Sequence, residues 1–136
     1  MATSTYLSNP VVTVNSVDLS DQCTAATFTY SIEALESTAF GDTARKYVGG
    51  LQSNELTLTM YASFAATESW VTLNSLVGTS TTVIVKPASG ADSATNPGLT
   101  LTGTFLSALP IAFNYGELGT IDITFTGGVF TADVTP

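Results

Sequence analysis

The sequence predicts a mainly β protein, an antiparallel β-sandwich or partial barrel of about eight strands with one flanking α-helix. Alternation of apolar and Ser or Thr residues, which is typical of strands with one buried face, recurs from one end of the chain to the other. Only about residues 66–77 have helical spacing, so a parallel βαβ layout lacks the helices that it needs. With 136 residues, the chain is expected to form one domain spanning 1–136.

The predicted strands follow one another along the whole chain. The first two, residues 11–14 and 17–20, flank Asn15 and Ser16, which suit a tight hairpin turn. The others are TAATFTYSI at 24–32, ELTLTMYASF at 55–64, TTVIVKP at 81–87, LTLTGTFL at 99–106, TIDITFTG at 120–127 and GVFTADV at 128–134. Gly103 is expected to allow a bulge, and Gly127 and Gly128 to join the last two strands.

Alternation within a strand also predicts which side chains share a face. The apolar face of 24–32 contains Ala26, Phe28, Tyr30 and Ile32, and that of 55–64 contains Leu56, Leu58 and Met60.

One segment has apolar residues at three- and four-residue spacings. In residues 66–78 these are Trp70, Leu73, Leu76 and Val77. Thr67 is suited to an N-cap, and Gly78 stands where a helix C-cap belongs. We expect a helix of about three turns that packs on the sheet through its Trp70 face.

Residues 33–54 are predicted to form a long loop. A connection of this length in a compact domain is usually functional or disordered. Its apolar residues argue against a solvated tether, and Gly49 and Gly50 are interpreted as closing a hairpin within it.

Charged residues are scarce, and most of them are acidic. They make up 10% of the chain, against about 25% in an ordinary domain, and the formal net charge is −8. A surface with so few charges favours self-association, although a secreted β domain rich in Ser and Thr is an alternative. With only Arg45, Lys46 and Lys86 as cations, no basic patch for nucleic acid can form.

Candidate catalytic groups are few. The chain has no histidine and a single cysteine, Cys23, interpreted as a small buried hydrophobe. The pairs Asp18 with Asp21 and Glu33 with Glu36 have carboxylates that glycoside hydrolysis or calcium binding can use, but this spacing is common in turns. We therefore expect no enzyme activity, no cofactor and no metal. The first ten residues lack the features of a signal peptide, and no apolar stretch is long enough to cross a membrane.

The order of several segments resembles the major tail (tail tube) proteins of long-tailed bacteriophages, or a closely related small phage virion protein. These segments are NPVVTVNSVDLSDQC, TAFGDTARKYVGGLQSNELTLTMYASFA, the predicted helix, VIVKPASGADSATNP and ELGTIDITFTGG. The resemblance implies a β-sandwich that assembles into hexameric rings, which stack into a tube in the phage tail. It further implies assembly in the host bacterial cytoplasm, contacts with other tail proteins, and DNA that passes through without specific binding.

The resemblance also implies that a long loop or hairpin reaches between neighbouring subunits or rings, and Phe40 to Leu51 match that element in position. The matching residues, taken as candidate interface residues, are Phe40, Asp42, Arg45, Lys46, Tyr47 and Leu51. Arg45 and Lys46 are expected to meet acidic groups of that neighbour, such as Glu33, Glu36 or Asp42. Their alternative role is that of a solvated hairpin flank, and Phe40 and Tyr47 have the alternative of packing within their own chain.

Two other kinds of protein fit the same composition. A capsid decoration protein of similar fold forms closed trimers instead of open stacks. An immunoglobulin-like carbohydrate-binding module stays monomeric and uses exposed aromatic side chains.

Overall fold

The computed structural model describes residues 10–135, which form nine antiparallel strands, one short helix and the turns and loops that connect them. The strands are β1 (Val11–Val14), β2 (Val17–Asp18), β3 (Cys23–Glu36), β4 (Tyr47–Tyr61), β5 (Thr79–Lys86), β6 (Gly98–Leu106), β7 (Ile111–Ala112), β8 (Thr120–Thr126) and β9 (Val129–Asp133), and the helix is α1 (Ser69–Asn74). The mainly β fold class with a single flanking helix is confirmed. Only β7 has no counterpart among the predicted strands.

All nine strands belong to one sheet, which is not closed into a barrel. The main order is β2-β1-β5-β6-β8-β4-β3, with β7 paired to β8 and β9 paired to β6. One edge of β6 has two partners, because its first five residues pair with β9 and its last two pair with β8. The strand β3 lies at one end of this order.

The core lies between the two halves of the sheet. The buried side chains from one half are Val12, Val14, Val83, Leu101 and Leu106, and those from the other are Leu56, Leu58, Met60, Ile121, Ile123 and Phe125. Both sets belong to one cluster, so the sheet folds over onto itself. The predicted apolar face of residues 55–64 is confirmed.

Turn chemistry was predictable at two places. Asn15 and Ser16 both have positive φ, 50° and 67°, as the two central residues of a type I′ hairpin turn require. Gly103, at φ 75°, is the extra residue in β6, because Thr81 pairs with Thr104 while Thr82 pairs with Thr102. Both predictions are confirmed.

The helix is shorter than predicted and is anchored differently. It covers Ser69–Asn74 instead of about 66–77, and Thr67 has a left-handed backbone with φ 61° instead of capping it. Instead of a side-chain cap from the preceding residues, the amide of Ser69, the first residue of the helix, has a distant acceptor: it donates to Gln22 Oε1 at 2.7 Å. Leu73 and Leu76 of the predicted apolar face are buried in the core, which confirms that face, whereas Trp70 is only half-buried and packs on Phe64.

The predicted loop at residues 33–54 consists mostly of paired strand. β3 and β4 pair from Cys23 and Met60 as far as Glu36 and Tyr47, which leaves only residues 37–46 as the connection. Gly49 and Gly50 do not close a hairpin; they lie within β4, where a Cβ on either would come within 3.2 Å of β3 side chains. The glycine pair therefore makes room for Ile32, Glu33 and Leu35 next to a bulge in the pairing.

The apolar face predicted for residues 24–32 is buried only in part. Phe28 packs against the core, but Tyr30 and Ile32 are exposed, because β3 extends past the part of the sheet that covers it. Within residues 10–135, no helix is long and apolar enough to cross a membrane. The prediction about a signal peptide falls on the first ten residues, of which 1–9 lie outside the described part.

Candidate assembly surfaces

The most prominent surface is a two-stranded extension of the sheet, residues 31–53, here called the arm. β8 pairs with β4 only from Glu55 to Tyr61, so beyond that point β3 and β4 have only each other. Almost every side chain of the arm is exposed. They include large apolar side chains on both strands, namely Ile32, Leu35, Tyr47, Val48 and Leu51, and Phe40 in the turn between the strands. Exposed apolar surface on this scale marks an interaction site.

The end of the arm, residues 37–46, is here called the tip, and it is held by its own hydrogen bonds. The Ser37 amide donates to the Lys46 carbonyl at 2.8 Å, and the Lys46 amide donates to Thr38 Oγ1 at 2.9 Å. The Asp42 amide donates to the Ala39 carbonyl at 3.1 Å, and the Ala39 amide donates to Asp42 Oδ2 at 2.8 Å. The tip is therefore a formed turn.

Phe40 and Gly41 are the central residues of that turn. Gly41 has φ 92°, the left-handed conformation that glycine adopts at the third position of a type II turn. Phe40, at the second position, has a relative exposure of 108%, so its ring touches little of its own chain. Intrachain packing, the alternative role for Phe40, is wrong.

Arg45 and Lys46 form ion pairs with the same arm. Arg45 Nη1 lies 2.8 Å from Glu36 Oε2, and Lys46 Nζ lies 2.9 Å from Asp42 Oδ1. The hydrogen bond from the Ala39 amide, followed by the contact with Lys46, holds the pKa of Asp42 below its usual range. These pairs orient the two cations while their side chains stay 75% and 63% exposed.

The base of the arm is fastened to β9. The Tyr30 and Phe130 rings are stacked with centroids 4.0 Å apart, and Phe28 meets Phe130 edge-on at 5.4 Å. The Phe130 amide donates to Gln52 Oε1 at 3.2 Å, and buried Asn54 donates to the Gly128 carbonyl at 2.9 Å. These contacts connect the arm to the body on the side of the sheet where the core lies.

The outer edge of β3 is a second candidate surface. β4 is the only strand of the described chain that pairs with β3. β3 is 14 residues long, and an edge of this length presents a row of free N–H and C=O groups. Such an edge is a template for pairing with another chain.

The outward face of β3, β4 and β8, here called the threonine face, is polar and carries no cation. In register across the three strands, Thr27 lies beside Thr57 and Thr124, Thr29 beside Glu55 and Thr126, and Ala25 beside Thr59 and Asp122. Glu55 and Asp122 are its only charged residues in these rows, and both are exposed. The opposite face of the same strands carries the buried Leu56, Leu58 and Met60 and the other core residues.

All six candidate interface residues lie in the arm. Phe40, Asp42, Arg45 and Lys46 are in the tip, and Tyr47 and Leu51 follow on β4, where both are exposed. Their role at an interface remains a prediction.

Sequence reasoning missed a further apolar surface at the other end of β4, here called the aromatic platform. It consists of Phe64, Trp70 and Phe113, and the Phe64 ring centroid lies 5.4 Å from that of Trp70 and 6.3 Å from that of Phe113. Phe64 and Phe113 are 52% and 75% exposed. Phe64 continues the alternation of the predicted strand 55–64, which in the structure ends at Tyr61, whereas Phe113 lies in a loop where no periodicity marks it, so no sequence pattern indicates that the two rings lie together.

Three of the four carboxylates considered for catalysis or calcium, Asp18, Asp21 and Glu36, have local partners. Asp18 Oδ1 accepts the Ser20 amide at 2.9 Å, and Asp21 Oδ1 accepts Gln22 Nε2 at 3.1 Å. Among residues 10–135, no three His, Cys, Asp or Glu side chains are placed to hold a metal ion. Cys23 is half-buried, and burial raises the pKa of its thiol, although a contact with the Ala25 carbonyl opposes this.

The sequence matches no protein-family model and no curated protein. Its fold, however, matches solved structures of tail and injection assemblies. A chain of the sheath–tube complex of an extracellular contractile injection system (PVC) is 13% identical, with a TM-score of 0.72 over 99% of this chain and 95% of that one. A chain of the anti-feeding prophage tube-terminating cap is 11% identical, with a TM-score of 0.73 over 99% and 94%.

The fold also matches a chain from the tail of an empty gene transfer agent particle, which was reconstructed with C6 symmetry. That chain is 12% identical, with a TM-score of 0.63 over 85% of this chain and 83% of that one. At these identities the likeness concerns the fold, and it confirms the fold that the sequence resemblance implied.

Proposed function

We propose that this chain, which has the fold of tail tube proteins, is a structural subunit that self-assembles into rings stacked as a phage tail tube. One observation carries the proposal. The arm projects from the body as a two-stranded ribbon with apolar side chains exposed on both of its strands, and the outer edge of β3 has no partner within residues 10–135. A free monomer would leave this surface open to indiscriminate aggregation, so a specific partner is expected to cover it.

The free edge of β3 supports side-by-side association. A neighbouring copy that pairs along this edge would continue the sheet and satisfy its N–H and C=O groups. Repetition of one such contact around a closed circle produces a ring. We propose hexameric rings, by analogy with the C6 symmetry of the gene transfer agent tail, whose chain shares this fold.

The threonine face is suited to line the channel of such a tube. Its hydroxyl groups bind water, and Glu55 and Asp122 repel phosphate groups, so DNA would pass without adhering. The opposite face of β3, β4 and β8 packs against the core, so the threonine face is the face of these strands that can contact solvent in a channel. In this role the chain needs no catalytic group, and its other partners would be further components of the tail.

Negative-stain electron microscopy of the purified chain at high concentration and near-physiological salt tests the proposal. Hollow tubes or stacked rings are expected. Closed trimers would instead favour a capsid decoration protein, and a stable monomer that binds glycans would favour a carbohydrate-binding module. Monomers that remain single when a preformed tail-tip complex of the same phage is added to initiate polymerisation would reject the proposal.

A further inference from the structure

Three buried side-chain oxygens at one end of the core have no hydrogen-bond partner within residues 10–135. They are Asn54 Oδ1, Thr81 Oγ1 and Thr104 Oγ1. The three residues are 2%, 8% and 0% exposed, so bulk solvent does not satisfy these atoms. Burying a polar atom without a partner costs free energy, and nearly all such atoms in folded proteins bind either another protein group or an ordered water.

The three residues lie in one row across the sheet. Thr81 pairs with Thr104. β8 pairs with both β6 and β4 as far as Thr126, so its next residue, Gly127, stands between Thr104 and Asn54. The Gly127 amide donates to the Asn54 carbonyl at 2.8 Å, which extends the ladder to this row. Asn54 and Thr104 are therefore separated by one residue that has no side chain.

The space beside Gly127 has the size and the polarity that a water requires. A Cβ on Gly127 would meet no other heavy atom within 4 Å. Asn54 and Thr104 are two strand spacings apart, about 9–10 Å between backbones in a regular sheet, which is too far for a direct hydrogen bond between such short side chains. One water joins two oxygens that are roughly 5–6 Å apart, the length of two hydrogen bonds.

The orientation of the Asn54 amide is fixed by its two acceptors. Nδ2 donates to the Gly128 carbonyl at 2.9 Å and to Gln52 Oε1 at 3.1 Å. Gln52 Oε1 also accepts the Phe130 amide, so it is the oxygen of that side chain. A reversed Asn54 amide would place Oδ1 against two acceptors. Asn54 Oδ1 therefore stays an acceptor that needs a donor.

We infer that an ordered water is bound beside Gly127, where it donates to Asn54 Oδ1 and accepts the Thr104 hydroxyl. The site lies where the arm joins the body, because β8 pairs with β4 only from Glu55 onward and Asn54 is the next residue towards the arm. Since Asn54 also binds Gly128, the water completes the hydrogen bonds that hold the base of the arm to the body. This inference concerns a single chain and does not depend on assembly.

A structure of the chain, alone or assembled, at a resolution that shows ordered water tests the site directly. One water is expected within hydrogen-bond distance of both Asn54 Oδ1 and Thr104 Oγ1. A direct hydrogen bond between these two side chains, or the absence of water at that position, would overturn the inference.

Two matched substitutions test the site in solution. Thr104→Val and Thr81→Val each remove one buried hydroxyl and keep the shape of the side chain. Thr104→Val is expected to raise the equilibrium constant for unfolding about fivefold or more, because the bound water loses a partner. Thr81→Val removes an oxygen that the water does not contact and is expected to leave this constant unchanged or lower it. Urea unfolding compares the two, and equal effects, or a Thr104→Val variant as stable as the unchanged chain, would contradict the site.

Discussion

Gly128 lies so close to Thr104 that a Cβ on Gly128 would come within 2.9 Å of the Thr104 amide nitrogen. The same Cβ would lie 2.8 Å from the Thr102 carbonyl oxygen. This is the point where pairing along β6 passes from β8 to β9, opposite the bulge at Gly103. The fold of the sheet thus depends on a close backbone approach that only glycine permits.

Gly128→Ala is therefore expected to destabilise the chain strongly, and Gly127→Ala is its matched control. Both residues have positive φ, 91° and 80°, which costs a non-glycine residue about 1–2 kcal/mol. Only Gly128 adds a clash with backbone, expected to cost roughly a further 1–3 kcal/mol. Urea unfolding of the two variants measures the difference, and equal free energies of unfolding would contradict the role assigned to the close approach.

Replacing Arg45 and Lys46 together by Glu is expected to abolish assembly and leave a folded monomer. The two side chains are exposed, and each exposed ion pair within the arm contributes only about 0–1 kcal/mol to stability. Sedimentation velocity measures assembly, and thermal unfolding checks the fold. The variant with Gln at both positions removes the positive charges without reversing them. It is expected to assemble less than the unchanged chain and more than the Glu variant. Normal tubes from the Glu variant would exclude the tip from the interface.

The order of the tip is expected to depend on pH through Asp42. Its pKa lies below the usual range because the charged carboxylate accepts the Ala39 amide and contacts Lys46. A depressed pKa contributes stability above the pKa of the unfolded chain, about 4, and this contribution is lost as the pH falls through the lower folded value. We therefore expect an ordered tip from neutral pH down to about 5 and a looser tip below about 4.

Nuclear magnetic resonance measures this titration directly. The Ala39 amide proton, which is bonded to the Asp42 carboxylate, is expected to shift with a midpoint below that of an ordinary aspartate. Asp42→Asn is the control, since it should abolish the titration while keeping an acceptor oxygen. A midpoint at or above the usual aspartate value would show that the tip does not hold the charged form.

The alternating pattern predicted the body of the sheet well and the arm poorly. In β4, Leu56, Leu58 and Met60 alternate with threonines because one face meets the core and the other does not. The same alternation continues in β3 through Tyr30 and Ile32, but there only the Phe130 ring stacks on Tyr30, and both side chains stay exposed. Periodicity indicates a strand, but burial depends on what packs against it, and that is a property of the tertiary structure.

The candidate surfaces were predictable to different degrees. The tip was recognisable because it concentrates the cations beside apolar residues, although Gly49 and Gly50 were misinterpreted as closing a hairpin with the strand that follows. They resemble turn residues, but in the structure they make room for side chains of the opposite strand. The aromatic platform brings together Phe64 and Phe113, which are 49 positions apart, through the pairing of β7 with β8 and of β8 with β4. Only the topology reveals that proximity.

The threonine face provides a test of the proposed channel. Glu55→Lys with Asp122→Lys would replace the only charges in its central rows with cations, and both side chains are exposed, so the fold and the tube are expected to persist. Such tubes should retain short DNA, with an affinity that falls steeply as salt rises, because binding would release counterions from phosphates.

The position of the introduced lysines, more than the total charge of the tube, should decide how much DNA the tubes retain. The control is the variant Asp21→Lys with Asp133→Lys, whose net charge matches that of the first variant. Both of these aspartates are also exposed, but they lie outside the threonine face. DNA retained by sedimented tubes, measured across a salt series, compares the two. Equal retention would show that DNA responds to the overall charge of the tube and would remove the threonine face from the channel. Retention by the Glu55 and Asp122 variant alone would place that face where DNA passes.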